Sequence, residues 1–545
     1  MQNLYLKPNV VLEPLVDKWY AWTHLIFPPT HALNILSRHL KIMNSYVQAP
    51  QVHFAAARNP KMLGGPFMNY ATVRTAEVKA LIAETMEQRK HMLELADAIK
   101  AVDNLLKNAD GHSLEPLYAQ VPDMLKGLIE LTYDLNGHPS FRFFEQLVYK
   151  SEFYDEGAQS IAMWVTMNDE RPFVLSTPRL PEEDAIELKI PFRSRLIDEL
   201  HAMRSAPGDY QRIKKALNVQ EKDEAVFRSF FTEEAPVPYE KYTGDNVRIR
   251  YFGHACILVE TRDVSILVDP VISYYGYQAE LERFSYCDLP DEIDYILITH
   301  NHQDHILLET MLSLRHKAKK IIIPRNGFGT LQDPNLKLLF NTMGFNNVME
   351  IGEMDTITFN NCRITGLPFL GEHGDLNIQS KICYNVKFDA VSFLFLADSC
   401  NIEPRLYDRI VQLIDPVDVI FLGMECDGAP FTWVYGPLMN ETIQRDKELS
   451  RRLAGSNYDR GKALVDTFQP KELYVYAMGL EPWVEFISSV RYREDAHPIV
   501  ASNKLIQECR SRNITAERLY GERELLYQPQ LVNESLSHLV IDSMP

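Results

Sequence analysis

The sequence predicts an α/β protein with a mixed α/β N-terminal domain over residues 1–240 and a C-terminal domain of two β-sheets covered by helices over residues 241–545. Three observations predict this fold. The chain has 545 residues, of which 46% are hydrophobic, and a single core seldom grows past about 300 residues. Apolar strands alternate with helical stretches after residue 246, as in sheets covered by helices. A stretch rich in proline and charge, residues 233–239, separates the two parts.

Helical periodicity dominates the first half of the N-terminal domain. Residues 72–106 carry this periodicity with few breakers, and residues 113–135 predict a second helix that begins at a Ser-Leu-Glu-Pro start. The content of aromatic and β-branched residues rises over 141–166 and predicts strands. A further helix is predicted over 193–203. We expect this domain to serve in homodimer formation or in docking of a partner protein.

The C-terminal domain shows apolar strands in regular succession, and the first two flank a Gly-His-Ala turn. Helices are predicted after the fourth strand and near the end of the domain. The predicted strands cover residues 247–252, 256–260, 265–270, 294–298, 320–324, 391–398 and 418–424, and the predicted helices cover 307–316 and 502–512.

The strongest functional signal is the run from Thr299 to His305, which reads Thr-His-Asn-His-Gln-Asp-His and follows an apolar strand. His300 and His302 can chelate one metal ion from a loop that leaves the strand. Asp304 and His305 turn toward a second ion, a division of ligands that suits imidazole and carboxylate. The spacing therefore predicts a dinuclear metal centre.

This run and the strands around it resemble the metallo-β-lactamase superfamily over roughly residues 246–530. The resemblance implies an αββα sandwich. It also implies that Asp269, at the end of a strand, lies at the edge of the metal site, and that Asp398 is a carboxylate bridging both metals.

The departures from the hydrolases of this superfamily are informative. Those hydrolases add one histidine for the first metal between the motif and the bridging aspartate, and another for the second metal near the end of the domain. In this chain the first segment holds adjacent Glu372 and His373, and the second, residues 473–481, contains no histidine. Because His497 is interpreted as a solvated loop residue, the second metal is short of one imidazole.

A carboxylate in place of a histidine resembles one branch, the diiron β-hydroxylase of chloramphenicol biosynthesis and its relatives in nonribosomal peptide pathways. The resemblance implies an O2-dependent non-haem diiron monooxygenase that hydroxylates the β-carbon of an amino acid tethered as a thioester to the carrier domain of a nonribosomal peptide synthetase. It implies Glu372 and Asp398 as catalytic residues. The implied ligands of the two iron ions are His300, His302 and Glu372 for the first, Asp304 and His305 for the second, and Asp398 for both.

The reaction requires an external electron donor. No glycines of the chain form the Gly-x-Gly-x-x-Gly fingerprint of dinucleotide binding after a strand, so we expect a separate reductase to supply the electrons.

Several alternatives stay open from the sequence. If His373 rather than Glu372 binds the first metal, that site is like the site of an ordinary zinc or iron hydrolase. A rival class for the whole chain is a dinuclear zinc hydrolase of a lactone, thioester or phosphodiester. A scaffold that has lost its metals is a third possibility, against which the intact motif argues. Glu425 and Glu481, also at strand ends, are either partners of the ligands or ordinary carboxylates.

Four aromatic residues are candidate walls of a substrate pocket, although core positions are an equal alternative for them. They are Phe431, Trp433, Tyr435 and Trp483.

Charge and composition exclude some classes of protein. The formal net charge of −18 argues against nucleic-acid binding, which needs concentrated lysine and arginine. The N-terminus lacks both a basic start and an uninterrupted apolar segment, which predicts a cytoplasmic protein without a membrane span. The seven cysteines form no Cys-x-x-Cys pair, so reduced thiols are expected and none is assigned to the metals.

Overall fold

The structure is a computed structural model that describes residues 3–275, 281–359, 361–389 and 391–528. Two large β-sheets pack face to face in the C-terminal half, and a mixed α/β region covers the outer face of one of them. The fold class predicted from the sequence is confirmed. Within the described residues, no helix is long and apolar enough to span a bilayer.

The N-terminal region mixes short strands with helices, and a π-helix over Ile35–His39 joins α2 to α3. Its strands are β1 (Asn3–Leu6), β2 (Val10–Val16), β3 (Trp19–Tyr20), β4 (Ile129–Tyr133), β5 (Pro139–Phe143), β6 (Gln159–Val165), β7 (Ile186–Lys189), β8 (Gly208–Asp209) and β9 (Phe231–Thr232). Its helices are α1 (Thr23–Ile26), α2 (Pro28–Asn34), α3 (Leu40–Gln48), α4 (Pro50–Ala57), α5 (Thr75–Gln88), α6 (Lys90–Leu106), α7 (Glu145–Val148), α8 (Arg195–Ala202), α9 (Tyr210–Ala216) and α10 (Glu224–Ser229).

The C-terminal region carries the two large sheets. Its strands are β10 (Val247–Gly253), β11 (Cys256–Glu260), β12 (Ser265–Val268), β13 (Ile293–Leu297), β14 (Ala318–Pro324), β15 (Val348–Ile351), β16 (Thr356–Phe359), β17 (Cys362–Leu367), β18 (Cys383–Phe388), β19 (Ser392–Phe395), β20 (Val419–Gly423), β21 (Ala429–Pro430), β22 (Arg452–Leu453), β23 (Glu472–Tyr476), β24 (Thr515–Arg518) and β25 (Arg523–Tyr527). Its helices are α11 (Leu308–Leu314), α12 (Leu336–Thr342), α13 (Arg405–Ile410), α14 (Thr432–Tyr435), α15 (Arg445–Ser450), α16 (Tyr458–Phe468), α17 (Glu485–Ser488) and α18 (His497–Ser511).

The two sheets share one plan. The first has the order β15-β14-β13-β12-β11-β10-β25 and the second the order β16-β17-β18-β19-β20-β23-β24. In both, antiparallel strands come first in the chain and parallel strands follow, and the first sheet then gains β25, which pairs antiparallel with β10. A parallel neighbour needs a crossover, which α11 provides between β13 and β14. The carboxyl ends of β12 and β13 therefore meet at one edge of the first sheet.

Alternation along β19 shows how the sequence builds the sandwich. Phe393 and Phe395 pack into the core between the two sheets, whereas Leu394 and Leu396 pack on the opposite face with residues of α13, α16 and α18. Successive strand residues point to opposite faces, so a strand buried on both sides must be apolar throughout. This explains why the sequence reads there as a continuous apolar run.

The N-terminal region packs directly on the first sheet. Phe27 and Ile99 belong to the same buried cluster as Ile296 of β13 and Met311 of α11. A buried ion network crosses the same boundary, because Arg171 donates to Glu13 of β2 and to Glu309 of α11. The domain boundary at residue 240 stays a prediction, and the core extends across it.

Most local predictions agree with the structure. The helix over 193–203 corresponds to α8, whereas the single helix over 72–106 is two helices, α5 and α6. The helix over 113–135 is wrong, since the structure has a 3-10 helix over Glu115–Gln120 and then β4. Pro122 lacks the backbone N–H that a helix needs, and Gly127 adopts a positive φ of 77°.

Candidate metal centre

The metal motif lies in the loop between β13 and α11, and Asp269 anchors the start of this loop. The carboxylate of Asp269 accepts a hydrogen bond from the Thr299 backbone N–H at 2.7 Å and one from the Thr299 hydroxyl at 2.6 Å. Asp269 follows β12, the parallel neighbour of β13, so both residues reach the same sheet edge. The carboxyl ends of parallel strands are the usual position of ligand sites in such sheets.

His300, His302 and Glu372 form the first group of candidate ligands. His302 Nδ1 lies 2.6 Å from Glu372 Oε1, and His300 Nε2 lies 3.7 Å from Glu372 Oε2. All three side chains are buried. The Thr299 hydroxyl donates its proton to Asp269. Toward His300 Nδ1, 3.0 Å away, the hydroxyl oxygen can therefore act only as an acceptor, so the ring proton of a neutral His300 lies on Nδ1. This leaves the lone pair of His300 Nε2 directed at the group.

His305 and Asp398 form the centre of the second group. His305 Nδ1 donates to Asp269 Oδ2 at 2.8 Å, and His305 Nε2 lies 3.2 Å from Asp398 Oδ2. With its proton on Nδ1, a neutral imidazole presents a lone pair to a carboxylate, an arrangement that a cation between them stabilises. The ligand atoms of Asp398, His300 and His305 lie within 4.8 Å of one another, close enough for all three to bind one metal ion.

The donor set fits a pair of metal ions. Among the described residues, His300 Nε2, Glu372 Oε2 and Asp398 Oδ1 are buried and have no hydrogen-bond partner. Burial and the neighbouring imidazoles hold the pKa of His300 well below its usual value, so this ring is neutral and free to bind a cation. Burial also raises the pKa of Glu372 to about 7, opposed by His302. Buried polar atoms without partners are rare, and cations satisfy all of them at once.

Strained backbone marks the same region. Asp269, Glu372 and Ala397 have positive φ angles of 41°, 68° and 45°. Such conformations are uncommon for residues other than glycine and cluster at functional sites. The strain therefore agrees with the position of the side chains.

The contacts of Tyr435 bear on whether Glu372 or His373 is the candidate ligand of the first metal. The Tyr435 hydroxyl lies 3.3 Å from His302 Nε2 and 3.1 Å from His373 Nδ1. If His302 binds metal through Nδ1, its Nε2–H donates to the Tyr435 oxygen, and the Tyr435 proton then goes to His373 Nδ1. The proton of neutral His373 is thereby placed on Nε2, which lies 3.2 Å from Glu372 Oε2. In this arrangement the proton of His373 Nε2 faces Glu372 Oε2 without the geometry of a hydrogen bond, and this tautomer favours Glu372 over His373 as the candidate ligand.

His254 is a member of the site that the sequence did not indicate. Its Nε2 lies 3.3 Å from Asp304 Oδ2, and its ring centroid lies 5.0 Å from that of His305. His254 Nδ1 accepts from the backbone N–H of Gly479 at 3.3 Å, so Nε2 carries the ring proton and faces Asp304. The histidine-free segment after β23 thus packs against an imidazole from the β10–β11 turn. The sequence offers only the place of His254 in the Gly-His-Ala turn between two predicted strands as a signal, and the positive φ of 52° appears only in the folded chain.

A cavity of about 750 Å³ leads to the candidate ligands. Trp433 lines it, whereas Phe431 and Tyr435 are buried in a small apolar cluster and Trp483 is buried elsewhere. Glu425 also lines it and accepts from Tyr492 and from the Gly428 backbone N–H.

The remaining candidates lie apart from the ligands. The carboxylate of Glu481 is hydrogen-bonded to the hydroxyl of Tyr251. His497 is exposed, as predicted, but it begins α18 and pairs with Asp427 at 2.8 Å. All seven cysteines are free thiols, and none belongs to the two groups of candidate ligands around the motif.

The sandwich and the paired ligand groups define the class of protein, a dinuclear metalloenzyme of the metallo-β-lactamase fold. A family model described as the diiron non-heme beta-hydroxylase N-terminal domain matches residues 5–236, and one described as a beta-lactamase superfamily domain matches residues 265–429. The chain belongs to the diiron non-haem β-hydroxylase family. Membership implies an oxygen-dependent monooxygenase with two iron ions.

Similar proteins are known from Streptomyces venezuelae. The 4-amino-L-phenylalanyl-[CmlP-peptidyl-carrier-protein] 3-hydroxylase is 38% identical over 531 residues, which cover 95% of this chain and 99% of that protein. The crystal structure of CmlA, a diiron beta-hydroxylase, superposes with a TM-score of 0.90 and 37% identity over 96% of this chain and 99% of that one. A point mutant of CmlA gives a TM-score of 0.88 and 36% identity over the same shares.

Proposed function

We propose that this chain hydroxylates the β-carbon of an amino acid held as a thioester on the carrier domain of a nonribosomal peptide synthetase. The observation that supports this most is the close relative named as a hydroxylase of an aminoacyl group on a peptidyl carrier protein, which matches along nearly the whole chain. A site in which Glu372 takes the place of a histidine supports the same activity.

The proposed ligand set follows from the two groups around the motif. His300 Nε2, His302 Nδ1 and Glu372 would bind the first iron, and Asp304 and His305 Nε2 the second. Asp398 would bind both, since its carboxylate lies within ligand distance of His300 and His305. Carboxylate-rich ligation suits iron better than it suits the zinc of the hydrolases.

When bound, the iron pair supplies the activation of dioxygen, and the side chains around it hold and orient the ligands. Asp269 accepts from His305 and Thr299 and so fixes the ring of His305. Tyr435 fixes the tautomers of His302 and His373, and His254 faces Asp304. Such partners of metal ligands commonly change metal affinity by about 10- to 100-fold when they are removed.

The cavity beside the ligands would serve the reaction by positioning the substrate. Trp433 offers an apolar wall beside the ligands His302 and Glu372. The cavity volume of about 750 Å³ lies in the range of binding sites for small molecules, roughly 300–1,000 Å³. A tethered aminoacyl group fits such a site together with part of its arm.

The electrons would come from a separate reductase, because the sequence carries no dinucleotide fingerprint. Homodimer formation and a cytoplasmic location complete the proposal. Seven free thiols in the folded chain agree with a reducing compartment.

The test is turnover of a panel of aminoacyl groups loaded on peptidyl carrier domains, with iron-loaded protein, reductant and air. The panel includes 4-amino-L-phenylalanine on the carrier protein CmlP, the group named for the relative. We expect one of these groups to gain one oxygen, which fragmentation mass spectrometry places on the β-carbon. Hydrolysis of the thioester without oxygen insertion would contradict the proposal and favour the hydrolase alternative.

A further inference from the structure

Charge is distributed unevenly along this acidic chain. Of its 545 residues 74 are acidic, about one in seven, yet residues 18–76 contain no aspartate or glutamate. The same segment carries large apolar side chains that are exposed: Val52 by 59%, Phe54 by 39% and Met62 by 40%. A basic and apolar surface on a protein of net charge −18 is an unusual local composition.

Four of the residues around the end of α4 form one surface, which we call the α4 face and define as Phe54, Arg58, Lys61 and Met62. Arg58 lies over the ring of Phe54, 3.6 Å from its centroid. Arg58 and Lys61 have no carboxylate of the described residues within ion-pair distance, whereas Arg74, at the end of the acid-free segment, is paired with Glu77 and Glu182.

The α4 face borders the cavity of the metal site. Lys61 and Leu63 line that cavity, and Arg58, Met62 and Leu63 line an adjoining cavity of about 600 Å³. The loop after α4 is fixed against the site wall, since a Cβ atom on Gly64 would lie 1.7 Å from the ring of Trp433. A molecule bound on the α4 face thus lies beside an opening that leads to the metal ligands.

We propose that the α4 face docks the carrier domain, and that this domain presents an acidic surface with apolar residues to it. The inference rests on the proposed function. Apolar side chains supply the desolvated centre of such an interface, and Arg58 and Lys61 select an acidic partner and speed its association. The continuity with the metal cavity then lets the tethered aminoacyl group reach the ligands while the domain remains outside.

The charges around the opening are not all basic. Glu170 and Glu485 line the adjoining cavity, and Glu485 is paired with Arg491, which lines both cavities. Arg58 and Lys61 therefore supply basic charge without a carboxylate partner on the α4 side of the opening, next to exposed apolar side chains, and this combination favours that side for the acidic partner.

The test reverses charge on the α4 face and compares two forms of one substrate. The variant combines Arg58→Glu with Lys61→Glu, and a second variant is Phe54→Ala. The matched control combines Lys215→Glu with Lys222→Glu, two exposed lysines of the same region. The substrates are the best-turned-over loaded carrier of the panel and the same aminoacyl group as a pantetheine thioester without a carrier.

We expect the charge-reversal variant to lower kcat/KM for the loaded carrier about tenfold more than for the pantetheine thioester, with a weaker salt dependence of the carrier Kd. Phe54→Ala should act in the same direction, and the control should match the wild type with both substrates. Equal losses with both substrates would overturn the proposal.

Two other outcomes are informative. A variant that sediments as a smaller species while its affinity for the carrier is unchanged would overturn the proposal by assigning the α4 face to a second copy of the chain. Absence of wild-type turnover with every loaded carrier would contradict the proposed function, and the docking face with it.

Discussion

The hydroxyl of Tyr435 lies 3.1 Å from His373 Nδ1, and this contact bears on the choice between the adjacent residues Glu372 and His373, of which the family resemblance favours Glu372. The same hydroxyl lies 3.3 Å from His302 Nε2. If His302 binds metal through Nδ1, protons are donated from His302 Nε2 to Tyr435 and from Tyr435 to His373 Nδ1, and the proton of His373 lies on Nε2, 3.2 Å from Glu372 Oε2. This arrangement favours Glu372 as the ligand in the proposed metal centre, with His373 as its neighbour.

Replacing Glu372 and replacing His373 should have different effects on iron content. Glu372→Ala removes a ligand of the first iron, so the reconstituted protein should hold about one iron per chain instead of two. His373→Ala removes only a neighbouring imidazole and should leave close to two. Elemental analysis after removal of loosely bound iron measures both. The reverse ranking would restore a hydrolase-like first site.

Tyr435→Phe tests the hydrogen bonds that join His302, Tyr435 and His373 without replacing a candidate ligand. It should speed the loss of iron to a chelator, because the tautomers of His302 and His373 are no longer fixed. The matched control is Tyr70→Phe, which loses one hydrogen bond, to Pro178, in the N-terminal region. Combination of Tyr435→Phe with His373→Ala should add little to either change, since both act in one set of hydrogen bonds. Fully additive effects would contradict that coupling.

His254→Ala should weaken the second metal site. Without the imidazole, Asp304 loses the group facing it, and we expect an increase in metal dissociation of about 10- to 100-fold. Chelator-challenge kinetics, followed by metal release, report this without reference to turnover. His254→Asn is the control for the backbone, since asparagine tolerates the positive φ of 52°. If the asparagine variant keeps its metals as the wild type does, the imidazole has no role in holding Asp304.

Arg171 should be essential for stability. Its guanidinium donates to Glu13 at 2.7 Å and to Glu309 at 2.7 Å, and both carboxylates are buried. Arg171→Met would leave Glu309 without its cation, and breaking a buried pair costs about 3–5 kcal/mol. The apparent melting temperature from calorimetry should fall accordingly. Arg212→Met, which breaks an exposed pair with Glu199, should change it little. Equal effects would contradict the role of the network.

Stability should fall between pH 5 and pH 8 because of Glu145. Burial, together with the nearby carboxylate of Asp333, raises the pKa of Glu145 to about 8, while the Asn335 backbone N–H opposes this. The folded state therefore keeps the proton after the unfolded chain has lost it, so unfolding releases a proton over this range. Each unit between the two pKa values contributes about 1.4 kcal/mol.

Glu145→Gln removes this titration while keeping an oxygen that accepts from Asn335. It should therefore raise the apparent melting temperature at pH 8 and change it little at pH 5. Glu152→Gln, at an exposed position, is the control, and its apparent melting temperature should match that of the wild type at both pH values. A Glu145→Gln variant with the same pH profile as the wild type would show that the carboxyl ionises normally.

The sequence predicted the sandwich and the motif because both depend on local patterns. Strand alternation gave the sheets, and the spacing from His300 to His305 gave the metal pair. His254 was not assigned to the site, and Tyr435 was interpreted only as a pocket wall or a core residue, because both reach the ligands only by folding, from a turn and a helix distant from the motif in the chain. The helix predicted over 113–135 is wrong because its Ser-Leu-Glu-Pro start begins only a 3-10 helix over Glu115–Gln120, and Pro122 and the positive φ of Gly127 prevent an α-helix from continuing.

The docking face could not be read from the sequence for a related reason. The absence of acidic residues over 18–76 is visible in the sequence, but of the six lysines and arginines there Lys18 and Arg74 have carboxylate partners and Arg38 is buried. Only folding shows that Arg58 and Lys61 are left exposed, beside the opening to the metal ligands.

The proposed hydroxylation of a carrier-tethered amino acid by an iron pair in this chain can be measured directly by single turnover. The chemically reduced, iron-loaded protein is mixed with dioxygen and with the same amino acid in free or in carrier-loaded form. We expect a gain of one oxygen at the β-carbon of the loaded amino acid and a much slower reaction of the free one. Zinc-loaded protein that cleaves the thioester, with iron-loaded protein inserting no oxygen into either form, would contradict this proposal.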